Sequence, residues 1–299
     1  MGSVVENPYR TYALSYDMSL FKKKWENSYL GAGFSAYNDK AGNSELGVTQ
    51  FNLSLSGVVL LSKRQTVSAG LQGGLAQRSI NYSDLKWGKY YENEKLMEYN
   101  TDPVLSSGMS NNYAFGDFSA GVSWKFAKEE TNITANDQFV ANFGVALFHL
   151  NKPKQEFFTG NTDDLERLYS KIVLHGGTYI GIKNSNINLL PSVLFLMQGP
   201  STEIDLGCLV RYTLREESRY TGLLKETALL IGGYYRVGDA VIPSIMFEIA
   251  NFAIGVSYDV NISGLKSVTT GRGGTEISLR YISPNPFRYG KGTRGTPML

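Results

Sequence analysis

Apolar and polar residues alternate with a period of two along most of this chain, the mark of strands with one apolar face. Between Ile204 and Leu214, the residues Ile204, Leu206, Cys208, Val210, Tyr212 and Leu214 share one face, and Asp205, Gly207, Leu209, Arg211 and Thr213 share the other. Phe51, Leu53, Leu55, Val59 and Leu61 likewise oppose Asn52, Ser54 and Ser56. Phe118, Ala120, Val122, Trp124 and Phe126 oppose Asp117, Ser119, Ser123 and Lys125. The pattern predicts strands over 10–21, 28–38, 48–62, 65–80, 113–127, 138–150, 170–183, 187–199, 202–215, 225–236, 241–249, 252–261 and 274–283. Many of them reach the roughly ten residues that a tilted strand needs to cross a bilayer. No long amphipathic helix and no linker interrupts the series. Residues 1–284 therefore read as one all-β domain, followed by a tail over 285–299.

The connections sort by length. With the last strand running toward the periplasm, 22–27, Lys63-Arg64, 128–137, 184–186 and 216–224 fall on one side. The long segments 81–112 and 151–169 fall on the other, with 39–47 and 262–273. Long extracellular loops and short periplasmic turns define a transmembrane antiparallel β-barrel of a bacterial outer membrane, and such barrels have even strand numbers. About fourteen strands are expected, with one strand and a leader missing before the opening Met1-Gly2-Ser3. A soluble β-sandwich adhesin would also give each strand one apolar face. Strands this long and this numerous fit it less well, in a chain whose only cysteine is Cys208.

Composition sharpens the picture. The 19 Tyr, 15 Phe and 32 Gly suit hairpins and interfacial aromatic girdles. With 29 basic and 27 acidic residues, the chain has no concentrated basic face for nucleic acid. His149 and His175, the two histidines, lie on separate strands, and no zinc-ligand spacing or nucleophile elbow is present. Gly271-Arg272-Gly273-Gly274 lacks the lysine of a phosphate loop. No enzyme activity, cofactor or metal is expected. Asp117, Lys125, Asp205, Arg211, Glu248 and Arg280 are expected to face inward as a paired lumen network. In the loop 81–112, Trp87, Tyr90, Tyr91 and Tyr99 stand among Lys86, Lys89, Glu92, Glu94 and Glu98. Aromatics among charges suit a partner interface, and they suit a lumen plug equally. Asp39, Lys40 and Gly42 are expected to shape a tight turn first and to touch a partner second.

The segments Tyr12-Ala13-Leu14-Ser15-Tyr16-Asp17, Gly31-Ala32-Gly33-Phe34 and Asn38-Asp39-Lys40-Ala41-Gly42 occur in that order. Gly70-Leu71-Gln72-Gly73-Gly74, Gln77-Arg78-Ser79-Ile80-Asn81-Tyr82 and His149-Leu150-Asn151-Lys152-Pro153 follow. Gly232-Gly233-Tyr234-Tyr235-Arg236 and Gly255-Val256-Ser257-Tyr258-Asp259 complete the set, which resembles the PorP/SprF family of the type IX secretion and gliding machinery. The resemblance spans about Asn7 to Ile282. It implies a non-enzymatic outer-membrane component that anchors the C-terminal sorting domain of a secreted adhesin or enzyme. It also implies the periplasmic ring lipoproteins of the machine as partners, in a setting of outer-membrane lipid. The alternative is a porin-like or hydrophobic-solute transporter. The basic tail after Ile282 departs from the family pattern.

Overall fold

The computed structural model describes residues 10–21, 25, 27–42, 45–81, 91–92, 95–96, 112–128, 136–155, 167–216, 226–264 and 272–282. The chain is all-β. Its strands are β1 (Arg10–Leu20), β2 (Ser28–Ala41), β3 (Leu46–Ser62), β4 (Gln65–Ser79), β5 (Tyr91–Glu92), β6 (Lys95–Leu96), β7 (Asn112–Lys128) and β8 (Phe139–Phe148). They continue as β9 (Lys171–Gly181), β10 (Ile187–Gln198), β11 (Ser201–Arg215), β12 (Thr227–Arg236), β13 (Ala240–Ile249), β14 (Phe252–Asn261) and β15 (Arg272–Tyr281). Thirteen form one antiparallel meander in chain order, while β5 and β6 pair only with each other. Every predicted strand is present. Differences at the ends have local causes: the strand expected to reach residue 150 stops before His149, whose φ is 57°. The strand expected to reach residue 199 stops before Gly199, whose φ is 56°. A left-handed residue cannot continue the ladder.

Neighbours in the meander alternate in direction, so β1 and β15, first and thirteenth, run the same way. They are the two edges of the sheet and are not bonded to each other. The sequence leads one to expect a closed barrel of about fourteen strands; among the described residues the large sheet has thirteen and is not closed, with β1 and β15 as its edges.

One face of the sheet is apolar throughout. Leu53, Leu71 and Leu279 are 72%, 69% and 74% exposed. A soluble monomer rarely exposes a contiguous apolar patch beyond a few hundred Å², so this face is matched to lipid. Aromatic pairs stand at both ends of the strands: Tyr113 with Phe115 and Phe148 with His149 at one end, and Phe21 with Trp25, Trp124 with Phe126, Phe126 with Phe139, and Phe252 with Tyr281 at the other, at centroid separations of 4.7–6.5 Å. The latter is also the end of the tight Lys63-Arg64 turn. The two longest connections, 80–111 and 149–170, leave from the opposite end. The other face is mixed. It buries Val140, Tyr179, Leu190, Leu209 and Leu230 against Ala127, Tyr234 and Met246. Around this apolar patch, Asp117, Ser119, Asn188, Arg211 and Thr213 are buried polar side chains of the same face.

Candidate functional site

The sequence offers two zones, an inner network of charges and an outer rim of loops. The inner charges form three groups rather than one network. Toward the short-turn end, Arg211 Nε donates to Glu248 Oε2 at 2.9 Å and Nη2 to Glu226 Oε1 at 2.9 Å. Arg211 Nη1 donates to Thr213 Oγ1, and Arg280 Nη2 reaches the second oxygen of Glu248 at 3.0 Å. β11 places Arg211 inward because its odd positions also carry Leu209 and Thr213, both buried. Two cations and two carboxylates balance there. Burial of the Arg211 guanidinium is tolerable because its donors are taken up.

The second group sits at the long-loop end. Arg236 lies between Asp205, Glu203, Asp239 and Asp259, at 3.4–3.5 Å from each. Its Nε stands near Asp205 Oδ1, yet neither atom has hydrogen-bond geometry, so this contact is electrostatic. Lys171 adds a second cation near Glu203, so carboxylates still outnumber cations in this part of the rim. In the third group, His149 Nδ1 pairs with the buried Asp117 Oδ1 at 2.9 Å, and Gln50 Nε2 approaches Asp117 Oδ2 at 3.4 Å. Asn151 continues it, donating to the Gly116 carbonyl at 2.7 Å and accepting from the Phe118 amide. Together these bonds tie the start of the 149–170 connection to β7.

Of the six inward residues expected, Arg211, Glu248 and Arg280 meet directly; Asp205 and Asp117 belong to the other two groups. Lys125 faces Thr66 and Asn142 in register on the inner face, apart from all three. Sequence reading missed Arg236, Glu226 and the His149–Asp117 pair. Arg236 shares its face with Ala228, Leu230, Gly232 and Tyr234, an apolar series that reads as the lipid side. The residues of the histidine pair are 32 positions apart, beyond the reach of any periodicity.

At the rim, Asp39 accepts a hydrogen bond from Thr11, so it ties β2 to β1 on the inner face. Lys40 Nζ lies 2.8 Å from Glu45 Oε2 across the β2–β3 turn, and Gly42 adopts φ 67° within it. The Lys40 hydrogen bond and charge hold the Glu45 carboxyl below the usual carboxylate range. Glycine suits Gly42 because that backbone is left-handed. Trp87, Tyr90 and Tyr99 lie outside the described residues. Tyr91 opens β5, in register with Leu96. Among the described residues, no group of three or more His, Cys, Asp or Glu side chains forms a metal site.

A long antiparallel sheet with a continuous lipid-matched face and an inner face of paired charges defines a β-rich membrane protein. The chain belongs to the family of type IX secretion system membrane proteins PorP/SprF, whose pattern matches residues 3–281. A comparison with curated proteins gave no match. The protein is therefore a membrane component of the type IX secretion system.

Proposed function

We propose that this chain is an outer-membrane barrel that anchors the C-terminal sorting domain of a secreted surface protein at its long-loop end. Its short-turn end faces the periplasmic lipoprotein ring of the machine. The observation that carries this reading is the sorting of the long connections: the two longest, 80–111 and 149–170, leave from the same end of the sheet. Outer-membrane barrels put their short turns in the periplasm and their long loops outside. The rigid wall then presents loops where a partner would be gripped.

The same reading asks for closure. Edge groups exposed to hydrocarbon lack the water that would satisfy them, so a spanning sheet has no free edges. Because β1 and β15 run the same way, one further strand antiparallel to both completes the ladder and gives an even count. Family membership supports the partner class. The test is a mild-detergent pull-down from the native outer membrane followed by mass spectrometry. Recovery of a secreted protein's C-terminal domain or of ring lipoproteins is expected. A barrel that arrives alone and conducts ions steadily in a planar bilayer would replace anchoring with transport.

A further inference from the structure

The lipid-matched wall is not uniform. Between β2 and β8 it carries a groove of about 610 Å³, floored at Gly57, Ala69 and Ala120 and walled by Leu55, Leu71 and Leu147. Register makes the floor continuous: Gly57 faces Ala69 across β3 and β4, and Ala69 faces Val122 across β4 and β7. A Cβ built at Gly57 meets nothing within 4 Å, so the space there is open. Trp124 lies just below, toward the short-turn end, paired with Val67. Further down the same hairpin, β3 and β4 are joined by Lys63 and Arg64, both exposed. Five residues separate Gly57 from the end of β3 at Ser62. That is roughly 17 Å of strand at about 3.3 Å per residue, on the scale of an acyl chain. An apolar channel, an aromatic on the adjoining strand β7 and two cations beyond it follow one another down the β3–β4 hairpin and its neighbour.

We propose that this wall holds one anionic phospholipid of the periplasmic leaflet, with an acyl chain in the groove and its headgroup at Lys63 and Arg64. Charge selects the headgroup: cationic side chains at a membrane surface attract anionic lipid. The chemistry of the occupant is thus a diacyl lipid with a net negative head, such as phosphatidylglycerol. The proposed orientation sets only the leaflet; lipid retained in detergent reads the site without it.

The test uses the full chain, delipidated in detergent and titrated with phosphatidylglycerol or phosphatidylcholine of the same acyl chains, read by native mass spectrometry. Wild type is expected to retain one phosphatidylglycerol at about thirtyfold lower lipid concentration than phosphatidylcholine, the effect of two cationic side chains at the headgroup. Lys63→Gln with Arg64→Gln should bring the two lipids together. Gly57→Leu with Ala69→Leu should abolish retention of both. Equal retention of the two lipids by wild type overturns the proposal, as does undiminished retention by the filled groove. Should the filled variant not fold, Trp25→Phe with Trp87→Phe leaves Trp124 as the reporter. Brominated phosphatidylglycerol should then quench it at lower mole fraction than brominated phosphatidylcholine; equal quenching overturns the site. A polypeptide crosslinked in native membranes to Gly57→Cys would also overturn it, by showing that a protein fills the groove.

Discussion

Arg211 and Glu248, on strands β11 and β13, meet across the intervening β12 with Nε and Oε2 2.9 Å apart. The Arg211 side chain is 7% exposed, and Glu248 is shared with Arg280. A charge this buried depends on its partners, because removing one member leaves the other unpaired in a poor solvent. Replacing Arg211 by Leu should therefore destabilise by about 3–5 kcal/mol. Arg211→Leu combined with Glu226→Gln and Glu248→Gln should recover much of that loss. Urea unfolding of the protein refolded into liposomes measures both. A single variant no less stable than wild type would show that the cluster stands in water rather than within a packed wall.

The Asp117–His149 pair makes a separate claim about loop order. Asp117 is 3% exposed, and His149 holds a left-handed backbone at the point where β8 ends. Asp117→Ala takes away the acceptor of the imidazole and should cost about 1–3 kcal/mol, the range for a buried polar group left unpaired. The damage should be local, since Asn151 and Leu150 still bond to Gly116 and Phe118. Trypsin cleavage after Lys154 should accelerate while the global unfolding midpoint moves little. Asp117→Asn, which keeps an acceptor oxygen, should cleave at a rate between the two.

Two glycines, Gly57 in open space and Gly232 against a neighbouring backbone, give a sharp comparison. A Cβ at Gly232 would fall well inside contact distance of the Cys208 carbonyl oxygen and beside the Leu209 backbone. Those atoms belong to the neighbouring strand and cannot swing away. A Cβ at Gly57 meets nothing within 4 Å. Gly232→Ala should destabilise by about 1–3 kcal/mol, the usual range for an overpacked site. Gly57→Ala should be neutral or stabilise by about 0.4–1 kcal/mol through the unfolded chain. Paired denaturation midpoints decide it, and equal effects at the two positions would contradict the close approach of β11 and β12.

The strands were legible because lipid imposes one rule on the outer face: every second residue from Phe51 to Leu61 or from Leu206 to Leu214 is apolar or small. No such rule governs the inside. Val140, Leu190 and Leu230 are apolar on the inner face, so on β8, β10 and β12 both faces read alike and the pattern loses its sign. Arg236 and Glu226 were hidden for that reason: both fall on the face of the strand predicted over 225–236 that also carries Ala228, Leu230, Gly232 and Tyr234. The sorting of long and short connections was legible from lengths alone. How charges group was not, since Arg211 and Glu248 are 37 positions apart and Asp117 and His149 are 32. Closure is also beyond periodicity: alternation counts strands but does not say which two edges meet.

The seam can be tested directly. β1 carries Ser15 and β15 carries Ser278, both on the inner face by register with Ser35 and Gly255. If one strand lies between β1 and β15, their Cα atoms are two strand spacings apart, roughly 10 Å. A disulfide needs Cα atoms within about 7 Å. In a Cys208→Ser background, Ser15→Cys paired in turn with Cys at Glu276, Ser278 or Arg280 should stay reduced under mild oxidation, even in folded, heat-modifiable protein. As a positive control, Ser15→Cys with Ser35→Cys, which are directly opposed on β1 and β2, should oxidise readily. A fast Ser15–Ser278 crosslink would instead mean that the edges meet each other. The barrel would then close on thirteen strands through one parallel pair, with no room for a further strand.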